Sequence, residues 1–238
     1  MATKFGFLSK FEFLQDWAST LIAGVNPAII HNLEKYHILK KVHYLSTIED
    51  VEGDYLEFGV FTGSSFCHSI RCCKKLAKLN EKTLNTKFYG FDSFAGFGEL
   101  KEDDKHPFYT DENFDTSLPA VTRRVQRVAA NIQFKLIAGF FSDSLKAGAN
   151  TLGIEKSRII FIDSDTYSSA NEALKFCIPT IQEGTFIVLD DYYSYRGSET
   201  RGVTRAFNEF VTQCGIKVRQ VFTYGMGGVV YVVSEKTR

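Results

Sequence analysis

The sequence lacks an excess of charge of either sign. Lysine and arginine together number 28, aspartate and glutamate together number 28, and the formal net charge of the 238 residues is zero at pH 7. Affinity for the phosphate backbone of DNA or RNA depends on clustered positive charge, and so does the attraction of a polybasic segment to an anionic membrane surface. The balance therefore argues against nucleic acid and against a membrane as partners.

The sequence also has no long apolar run and little proline. No stretch approaches the roughly 18–20 consecutive apolar residues of a transmembrane helix. The start, MATKFGFLSKFEF, has neither a long apolar run nor a small-residue cleavage site, so no signal peptide is expected. Only four prolines occur, which argues against long disordered linkers.

The cysteines are few, odd in number and without a C-x-x-C pair. They are Cys67, Cys72, Cys73, Cys177 and Cys214. Such a set is a poor framework for disulfide bonds or for a zinc site. We interpret these residues as reduced thiols, and this interpretation predicts a cytoplasmic protein.

Helix and strand patterns alternate along most of the chain. Residues 1–50 are predicted to form a helical extension, in which Asn26 and Pro27 mark a helix start, and residues 51–238 to form one α/β domain. The predicted strands are 55–60, 88–91, 134–138, 158–162, 185–189, 217–223 and 229–233. The fourth and fifth of them are apolar on both faces, which is typical of a parallel sheet with helices on both sides. The sequence therefore predicts a doubly wound, mostly parallel seven-stranded sheet that ends in an antiparallel hairpin.

A glycine-containing turn follows the first predicted strand. Gly59 and Gly63 allow the chain to turn sharply into a helix, whose first N–H groups can bind a carboxylate or a phosphate. The spacing is G-x-x-x-G, and Phe61 stands where a dinucleotide site needs glycine, so a nicotinamide cofactor is disfavoured. Glu57 beside the turn suits a ligand with a cationic group. The alternative is that the glycines only allow the helix to pack on the strand.

An acid ends the second predicted strand. Asp92 is well placed there to accept hydrogen bonds from the hydroxyls of a ribose. The alternative is a turn-capping aspartate before Ser93, because aspartate is common in such turns.

Three more acids follow the fourth and fifth predicted strands. Asp163 ends one strand, and Asp190 and Asp191 end the other. The carboxyl ends of parallel strands meet at one edge of a sheet, and converging carboxylates repel unless a cation neutralises them. Oxygen ligands suit Mg²⁺, which keeps waters that a substrate can displace. The alternative is that these aspartates are solvated strand-end caps.

Five blocks of sequence together resemble a known family. They are GDYLEFGVFTGS at residues 53–64, YGFDSFAGF at 89–97, GFFSDSL at 139–145, IDSDTYSS at 162–169 and GTFIVLDDY at 184–192. The combination is similar to the macrocin O-methyltransferase type of class I S-adenosylmethionine-dependent methyltransferases, which methylate sugar hydroxyls in natural products. The resemblance covers about residue 50 to the C-terminus, and it implies a Rossmann-like sheet of seven strands with a final antiparallel hairpin.

The resemblance also implies a set of site residues. S-adenosylmethionine is expected at Glu57, Gly59, Thr62, Gly63, Ser64, Asp92, Ser93, Gly139, Phe140 and Ser142, with Mg²⁺ at Asp163, Asp190 and Asp191. Residues 99–115 would form a lid over the acceptor. Asp163 and Asp191 would act in catalysis through the metal, and His106 in the lid is a candidate base, with a solvated loop histidine as the alternative. The N-terminal helices would form a homodimer or shape the acceptor pocket.

The resulting hypothesis is a Mg²⁺-assisted O-methyltransferase that acts on a hydroxyl of a sugar or a similar small natural-product acceptor. Two alternatives stay open from the sequence. Asp163 and Asp165 form a D-x-D pair, which metal-dependent glycosyltransferases use to bind nucleotide sugars. A non-catalytic module with a methyltransferase fold is the other.

Overall fold

The computed structural model describes residues 11–109 and 116–236, and the start of the N-terminal extension and part of the predicted lid lie outside this part of the chain. Its centre is a seven-stranded sheet in the order β3-β2-β1-β4-β5-β7-β6. The strands are β1 Asp54–Phe58, β2 Phe88–Asp92, β3 Phe134–Ala138, β4 Ser157–Ile162, β5 Phe186–Leu189, β6 Ile216–Tyr224 and β7 Gly228–Lys236. Strands β1 to β5 pair in parallel, whereas β7 is antiparallel to both β5 and β6. The predicted fold is confirmed.

Eight helical segments surround the sheet in the described residues. They are α1 Glu12–Gly24, α2 Pro27–Ile48, α3 Ser64–Leu76, α4 Leu118–Ala129, α5 Phe141–Ser144, α6 Tyr167–Cys177, α7 Ser194–Gly197 and α8 Gly202–Cys214. Four short 3₁₀ turns lie between them, at Glu81–Asn85, Glu102–Asp104, Ala149–Leu152 and Ile178–Thr180. Within the described ranges, no helix is long and apolar enough to cross a membrane.

Local sequence signals set the ends of two helices. The side chain of Asn26 accepts a hydrogen bond from the Ala28 amide at 2.9 Å, and proline follows at the first position of α2, as predicted. The sequence of residues 168–183, which Gly184 follows, predicts one continuous helix, but α6 ends earlier, at Cys177. Pro179 has no N–H to continue the α-helical ladder, and the chain passes into a 3₁₀ turn instead.

Both faces of the sheet are buried, each in its own hydrophobic cluster. Successive residues of β4 alternate between them: Ile160 and Ile162 belong to one cluster, and Ile159 and Phe161 to the other. The second cluster also contains residues of α2, namely Ile38, Leu39 and Val42. The second half of the N-terminal helical region therefore packs directly on the sheet. The domain boundary at residue 50 stays a prediction.

Helix α1 packs differently from α2. It has no buried residue in the described part of the chain, and its large apolar side chains are exposed. The five cysteines are unpaired, and four of them are buried. Burial raises the pKa of the Cys72 and Cys73 thiols to about 11, so both stay protonated at neutral pH and pack as small apolar groups.

Candidate active site

A cavity of about 720 Å³ opens at the carboxyl ends of the parallel strands. Eight of the residues predicted for the site line it: Gly59, Asp92, Ser93, His106, Phe140, Asp163, Asp190 and Asp191. Six others lie beside the cavity in sequence but not on its wall: Glu57, Thr62, Gly63, Ser64, Gly139 and Ser142. The fold thus brings the acids at the ends of three strands, β2, β4 and β5, into one cavity, of a size that suits a small molecule.

Gly59 joins β1 to the cavity at a point where two backbones touch. Its φ angle is +95°, and an added Cβ would overlap the carbonyl oxygen of Asp163. The Gly59 amide donates to the carbonyl of Phe91 at 2.9 Å, and the Asp163 amide donates to the carbonyl of Phe58 at 2.8 Å. A side chain here would push apart the ends of β1 and β4, so glycine is required by both the angle and the space.

Glu57 is fully buried beneath the cavity. One carboxylate oxygen accepts a hydrogen bond from the Tyr55 hydroxyl, and the other accepts one from Ser65 Oγ at 2.6 Å. Burial raises the pKa of Glu57 to about 7, although both hydrogen bonds favour the charged form. The carboxyl group of Glu57 therefore contacts Ser65, near the start of α3. It does not reach the cavity.

The burial of Glu57 gives a testable stability difference. A folded pKa of about 7 against an ordinary 4.5 favours the protonated form on folding, so the wild-type protein loses stability as the pH rises from about 4.5 to 7. Glu57→Gln imitates the protonated group and should unfold with a free energy higher than wild type by up to about 3 kcal/mol at pH 8, and close to wild type at pH 4.5. Urea unfolding from pH 4.5 to 8 measures it.

The control for this experiment is Glu155→Gln, at an exposed position. It should follow the wild-type protein at every pH. A difference between Glu57→Gln and wild type that does not change with pH would contradict the assignment.

Asp92 joins the loops that follow β1 and β2. One of its oxygens accepts from the Phe61 amide and the other from the Phe94 amide, each at 2.7 Å. The contact with the Phe94 amide forms the turn that the sequence analysis gave as the alternative role of Asp92. The contact with the Phe61 amide also connects Asp92 to the glycine turn after β1. Each carboxylate oxygen can accept a second hydrogen bond, so Asp92 keeps capacity for a ligand hydroxyl. Ser93 completes the turn by donating to the Gly96 carbonyl at 2.6 Å.

The remaining predicted cofactor residues have structural contacts. Gly63 is left-handed, with φ +75°, directly before α3, and the carbonyl of Thr62 accepts from Arg124 at 2.8 Å. Ser64 begins α3. Phe140 precedes α5 and has a ring 43% exposed at the cavity wall.

Two predicted residues beside that ring face other neighbours. The Gly139 amide donates to the carbonyl of Asp92 at 2.9 Å. Ser142 lies within α5 and is exposed. The N-cap residue of this helix is Phe140. Phe140 and the adjacent Phe141 are therefore the members of this segment that line the cavity.

The three strand-end aspartates converge. One carboxylate oxygen from each of Asp163, Asp190 and Asp191 lies within 4.8 Å of the others. Hard oxygen ligands of this kind are those that Mg²⁺ prefers. The donor set therefore fits a divalent cation.

The N-terminal helix α2 adds two residues to this aspartate cluster. Lys35 Nζ lies 2.6 Å from Asp190 Oδ2 and 2.9 Å from Asp163 Oδ2. His31 Nε2 lies 3.0 Å from the same Asp190 oxygen, while His31 Nδ1 accepts the Met226 amide at 3.2 Å. That contact places the proton of a neutral imidazole on Nε2, which then donates to Asp190.

The acids of the cluster differ in their affinity for protons. Burial alone would raise the pKa of Asp190, but the charge of Lys35 and the hydrogen bond from His31 outweigh it and hold the pKa below its ordinary value. Burial and then the charge of Asp190 raise the pKa of Asp163 well above its ordinary value. Burial and the neighbouring carboxylates do the same for Asp191. Asp190 is therefore the acid whose negative charge is stabilised by neighbouring groups of the protein, Lys35 and His31.

The second acid of the D-x-D pair also faces the cavity. Asp165 has a left-handed backbone, with φ +61°, and lines the cavity beside Asp163. Burial and the charge of Asp163 raise the pKa of Asp165 to about 7. Tyr167 of the same block points elsewhere, because its hydroxyl donates to Glu209 at 2.8 Å.

Part of the predicted lid lies over the aspartates, and residues 110–115 of it fall outside the described residues. The Tyr109 hydroxyl contacts Ser194 Oγ at 2.8 Å and Asp191 Oδ1 at 3.4 Å. His106 stacks on Tyr109 with ring centroids 4.3 Å apart, and burial followed by the charge of Arg201 lowers the pKa of His106. His106 Nδ1 accepts the Phe108 amide at 3.2 Å, so a neutral ring carries its proton on Nε2.

Four contacts in the site had no signal in the sequence. They involve His31, Lys35, Tyr109 and Tyr224, of which Tyr224 donates its hydroxyl to Asp190 Oδ1 at 2.6 Å. Lys35 and Asp163 are 128 residues apart, and no local pattern shows such a pairing. Two histidines of α2 have different surroundings: His31 contacts Asp190, whereas His43 is buried against Tyr55.

Comparison with known proteins adds a family match. The family model described as macrocin-O-methyltransferase (TylF) matches residues 16–224. The mycinamicin III 3''-O-methyltransferase of Micromonospora griseorubida is 27% identical over 179 residues, which cover 70% of this chain and 66% of that protein. The 8-demethyl-8-(2,3-dimethoxy-alpha-L-rhamnosyl)-tetracenomycin-C 4'-O-methyltransferase of Streptomyces olivaceus is 26% identical over 181 residues, 70% of this chain and 64% of that protein. The matched region is thus about two thirds of these relatives' length.

A solved structure has the same fold. The O-methyltransferase NovP superposes with a TM-score of 0.66 at 18% identity, over 84% of this chain and 79% of that one. At this identity the likeness shows the fold, and it confirms the predicted class I methyltransferase architecture.

Proposed function

Because the chain belongs to the macrocin O-methyltransferase (TylF) family, we propose that it is an enzyme that transfers the methyl group of S-adenosylmethionine to a hydroxyl of a sugar or similar small natural-product acceptor. The observation that carries the proposal is the single cavity in which the glycine turn and Asp92 on one side face the three converging aspartates on the other. One side suits the cofactor and the other suits an acceptor. Methyl transfer requires the acceptor hydroxyl to be held in line with the methyl group of the cofactor.

The chemistry of the cofactor side fits S-adenosylmethionine. Asp92 can accept hydrogen bonds from ribose hydroxyls through the free lone pairs of its two oxygens. The exposed ring of Phe140 offers a flat apolar surface to a purine. Gly59 allows close approach to bare backbone. The sequence prediction for Glu57, Thr62, Gly63, Ser64, Gly139 and Ser142 is kept as part of this proposal, in supporting positions around the turns that hold the cofactor.

On the other side we assign Mg²⁺ to Asp163, Asp190 and Asp191, whose oxygens fit it. Bound there, the ion would supply Lewis-acid activation of an acceptor hydroxyl. The protein's own residues shape the surroundings: Tyr109 covers Asp191, and His106, which carries its proton on Nε2 when neutral, lines the cavity as a candidate donor to the acceptor. To act as a base, His106 would first have to give up the Phe108 hydrogen bond at Nδ1.

The nature of the acceptor rests on the relatives. Both relatives are named for O-methylation at a numbered position, 3'' of mycinamicin III in one and 4' of a compound that carries a rhamnosyl group in the other. We therefore propose a sugar hydroxyl of a small glycoside, and the aromatic lining of the cavity supports an acceptor with an apolar face. Neither a glycosyltransferase nor a non-catalytic module is favoured by these relatives. The family match to methyltransferases also weakens the alternative use of Asp163 and Asp165 for a nucleotide sugar.

Product analysis tests this proposal. Purified protein is incubated with S-adenosylmethionine, MgCl₂ and a panel of free sugars, sugar nucleotides and simple glycosides, and the products are separated by mass spectrometry. We expect S-adenosylhomocysteine and a sugar product heavier by one methylene group. Transfer of a sugar from a sugar nucleotide, without S-adenosylhomocysteine, would instead support the glycosyltransferase.

We further propose that a second copy of the chain covers α1. Five large apolar side chains are exposed along this helix: Phe13, Leu14, Trp17, Leu21 and Ile22. From residue 11 to residue 34 the sequence contains no lysine or arginine, so the surface has no positive group for an acidic partner. Burying such a stripe against its own copy removes apolar area from water on both sides.

Charge placed on this stripe should separate the dimer. Trp17→Glu combined with Leu21→Glu should halve the molar mass measured by light scattering after gel filtration, to about 26.9 kDa. Ser19→Glu, on the polar side of the same helix, should remain dimeric. A wild-type protein that is monomeric at every concentration would contradict the proposal.

The expected cellular setting follows from the composition. The five unpaired cysteines support a reducing compartment such as the cytoplasm. The zero net charge supports a small-molecule partner in place of nucleic acid or a membrane surface.

A further inference from the structure

The aspartate cluster already contains a positive charge from the protein. The ammonium group of Lys35 lies between Asp163 and Asp190, at 2.9 Å and 2.6 Å, and its side chain is 10% exposed. We propose that Lys35 is a resident cation of the aspartate cluster that competes with the divalent ion for Asp163 and Asp190, and so weakens its binding. The inference rests on the metal site of the proposed function, and not on the acceptor or on methyl transfer.

The surrounding structure holds Lys35 in this position. On α2, Lys35 comes shortly before Ile38 and Leu39, which are buried in the core against the sheet. Lys35 Nζ also lies 5.7 Å from the centre of the Phe161 ring, on the strand that ends at Asp163. A lysine anchored in this way is part of the packed core and not a surface side chain that reaches the acids by chance.

The hydrogen bonds of Asp190 show why the two cations compete. Its Oδ1 accepts from the Tyr224 hydroxyl, and its Oδ2 accepts from both Lys35 and His31. A metal ion that binds Asp190 must therefore displace one of these donors, or share an oxygen with the Lys35 ammonium at close range. Like charges repel strongly in a buried site, so sharing is costly.

Asp191 is the acid of the three that is not paired with Lys35. Its side chain shares a hydrogen bond with Asp165, and its Oδ1 has a long contact from the Tyr109 hydroxyl, at 3.4 Å. An incoming ion can therefore meet Asp191 first and reach Asp163 and Asp190 only as Lys35 moves aside. In the absence of the ion, Lys35 keeps the carboxylates together, so the cavity wall is formed before the metal arrives.

Removal of the Lys35 charge tests the proposal directly. Lys35→Met keeps the length of the side chain and should bind Mg²⁺ and Mn²⁺ at least about tenfold more tightly than wild type, because the competing charge is gone. Calorimetric titration of each metal into protein without cofactor or acceptor measures this. Lys40→Met, an exposed lysine on the same helix, is the control and should bind as wild type does.

Thermal unfolding gives a second readout. Wild-type protein should show only a small rise in unfolding temperature when EDTA is replaced by MnCl₂, whereas Lys35→Met should unfold at a lower temperature in EDTA and show a larger rise in MnCl₂. Lys35→Arg keeps the charge and should behave as wild type. In Lys35→Met, an added Asp191→Asn change should abolish the gain in metal affinity, which places the ion at the cluster.

The outcomes separate this inference from the function it rests on. Equal or weaker metal affinity in Lys35→Met would overturn the role of Lys35 while leaving the metal site in place. A Lys35→Met protein that is unfolded in EDTA and in MnCl₂ alike would also overturn it, because the freed carboxylates should accept the ion. Absence of binding by wild type and variant together would contradict the proposed metal site itself.

Discussion

Asp191→Asn should lower the turnover number for methyl transfer at least about a thousandfold, equivalent to about 4 kcal/mol in the activation free energy. Asp191 is the acid of the three that is not paired with Lys35, and its side-chain contacts are with Asp165 and, at 3.4 Å, with Tyr109. Asparagine keeps the shape but removes the charge that a divalent ion needs. The acceptor hydroxyl would then lose its activation and orientation.

The same change should leave the cofactor side untouched. The dissociation constant of S-adenosylmethionine should change less than about threefold, because Asp92 and Phe140 belong to other strands and loops. Asp50→Asn is the matched control: it lies before β1, at the opposite edge of the sheet, and its φ of +50° is an angle that asparagine tolerates. Full turnover in Asp191→Asn, or a large loss of cofactor affinity, would contradict the role given to this residue.

Gly59→Ala should destabilise the protein by at least about 3 kcal/mol and abolish cofactor binding in whatever fraction stays folded. The added methyl group would overlap the Asp163 carbonyl oxygen, which is backbone and cannot rotate away. Relief requires the ends of β1 and β4 to separate, and both ends form the cavity. Urea unfolding measures the first effect, and calorimetry measures the second.

Gly153→Ala separates strain from collision. Gly153 is left-handed, with φ +72° and ψ 27°, but an added Cβ there meets nothing within 4 Å. This variant should lose only the roughly 1–2 kcal/mol of a left-handed non-glycine residue. If Gly59→Ala were as stable as Gly153→Ala, the close approach of the two strand ends would not be what requires glycine.

The strands and the acids at their ends could be predicted from the sequence, because both depend on local patterns. Buried parallel strands appear as short apolar runs, and their carboxyl ends must share one edge of the sheet. Asp163, Asp190 and Asp191 follow such runs, and the structure brings them together. Helix α6 shows the limit even for local signals, since Pro179 ended it sooner than the periodicity indicated.

The residues that complete the site could not be predicted in this way. Lys35 and His31 lie on a helix that comes before the sheet in sequence, and Tyr224 lies at the end of β6. Their contacts with Asp190 depend on how distant elements dock, which has no local signature. Glu57 shows the converse: its position in the motif indicated a ligand contact, but its hydrogen bonds go to Tyr55 and Ser65.

The proposed function requires the cavity at the carboxyl edge of the sheet to bind S-adenosylmethionine. Calorimetric titration of the wild-type protein with S-adenosylmethionine, with a uridine diphosphate sugar and with NADH tests it most directly. We expect saturable binding of S-adenosylmethionine, one molecule per chain, weakened at least about tenfold by Asp92→Ala through the lost hydrogen bonds to ribose. No binding of S-adenosylmethionine, together with binding of the sugar nucleotide or of NADH, would contradict it.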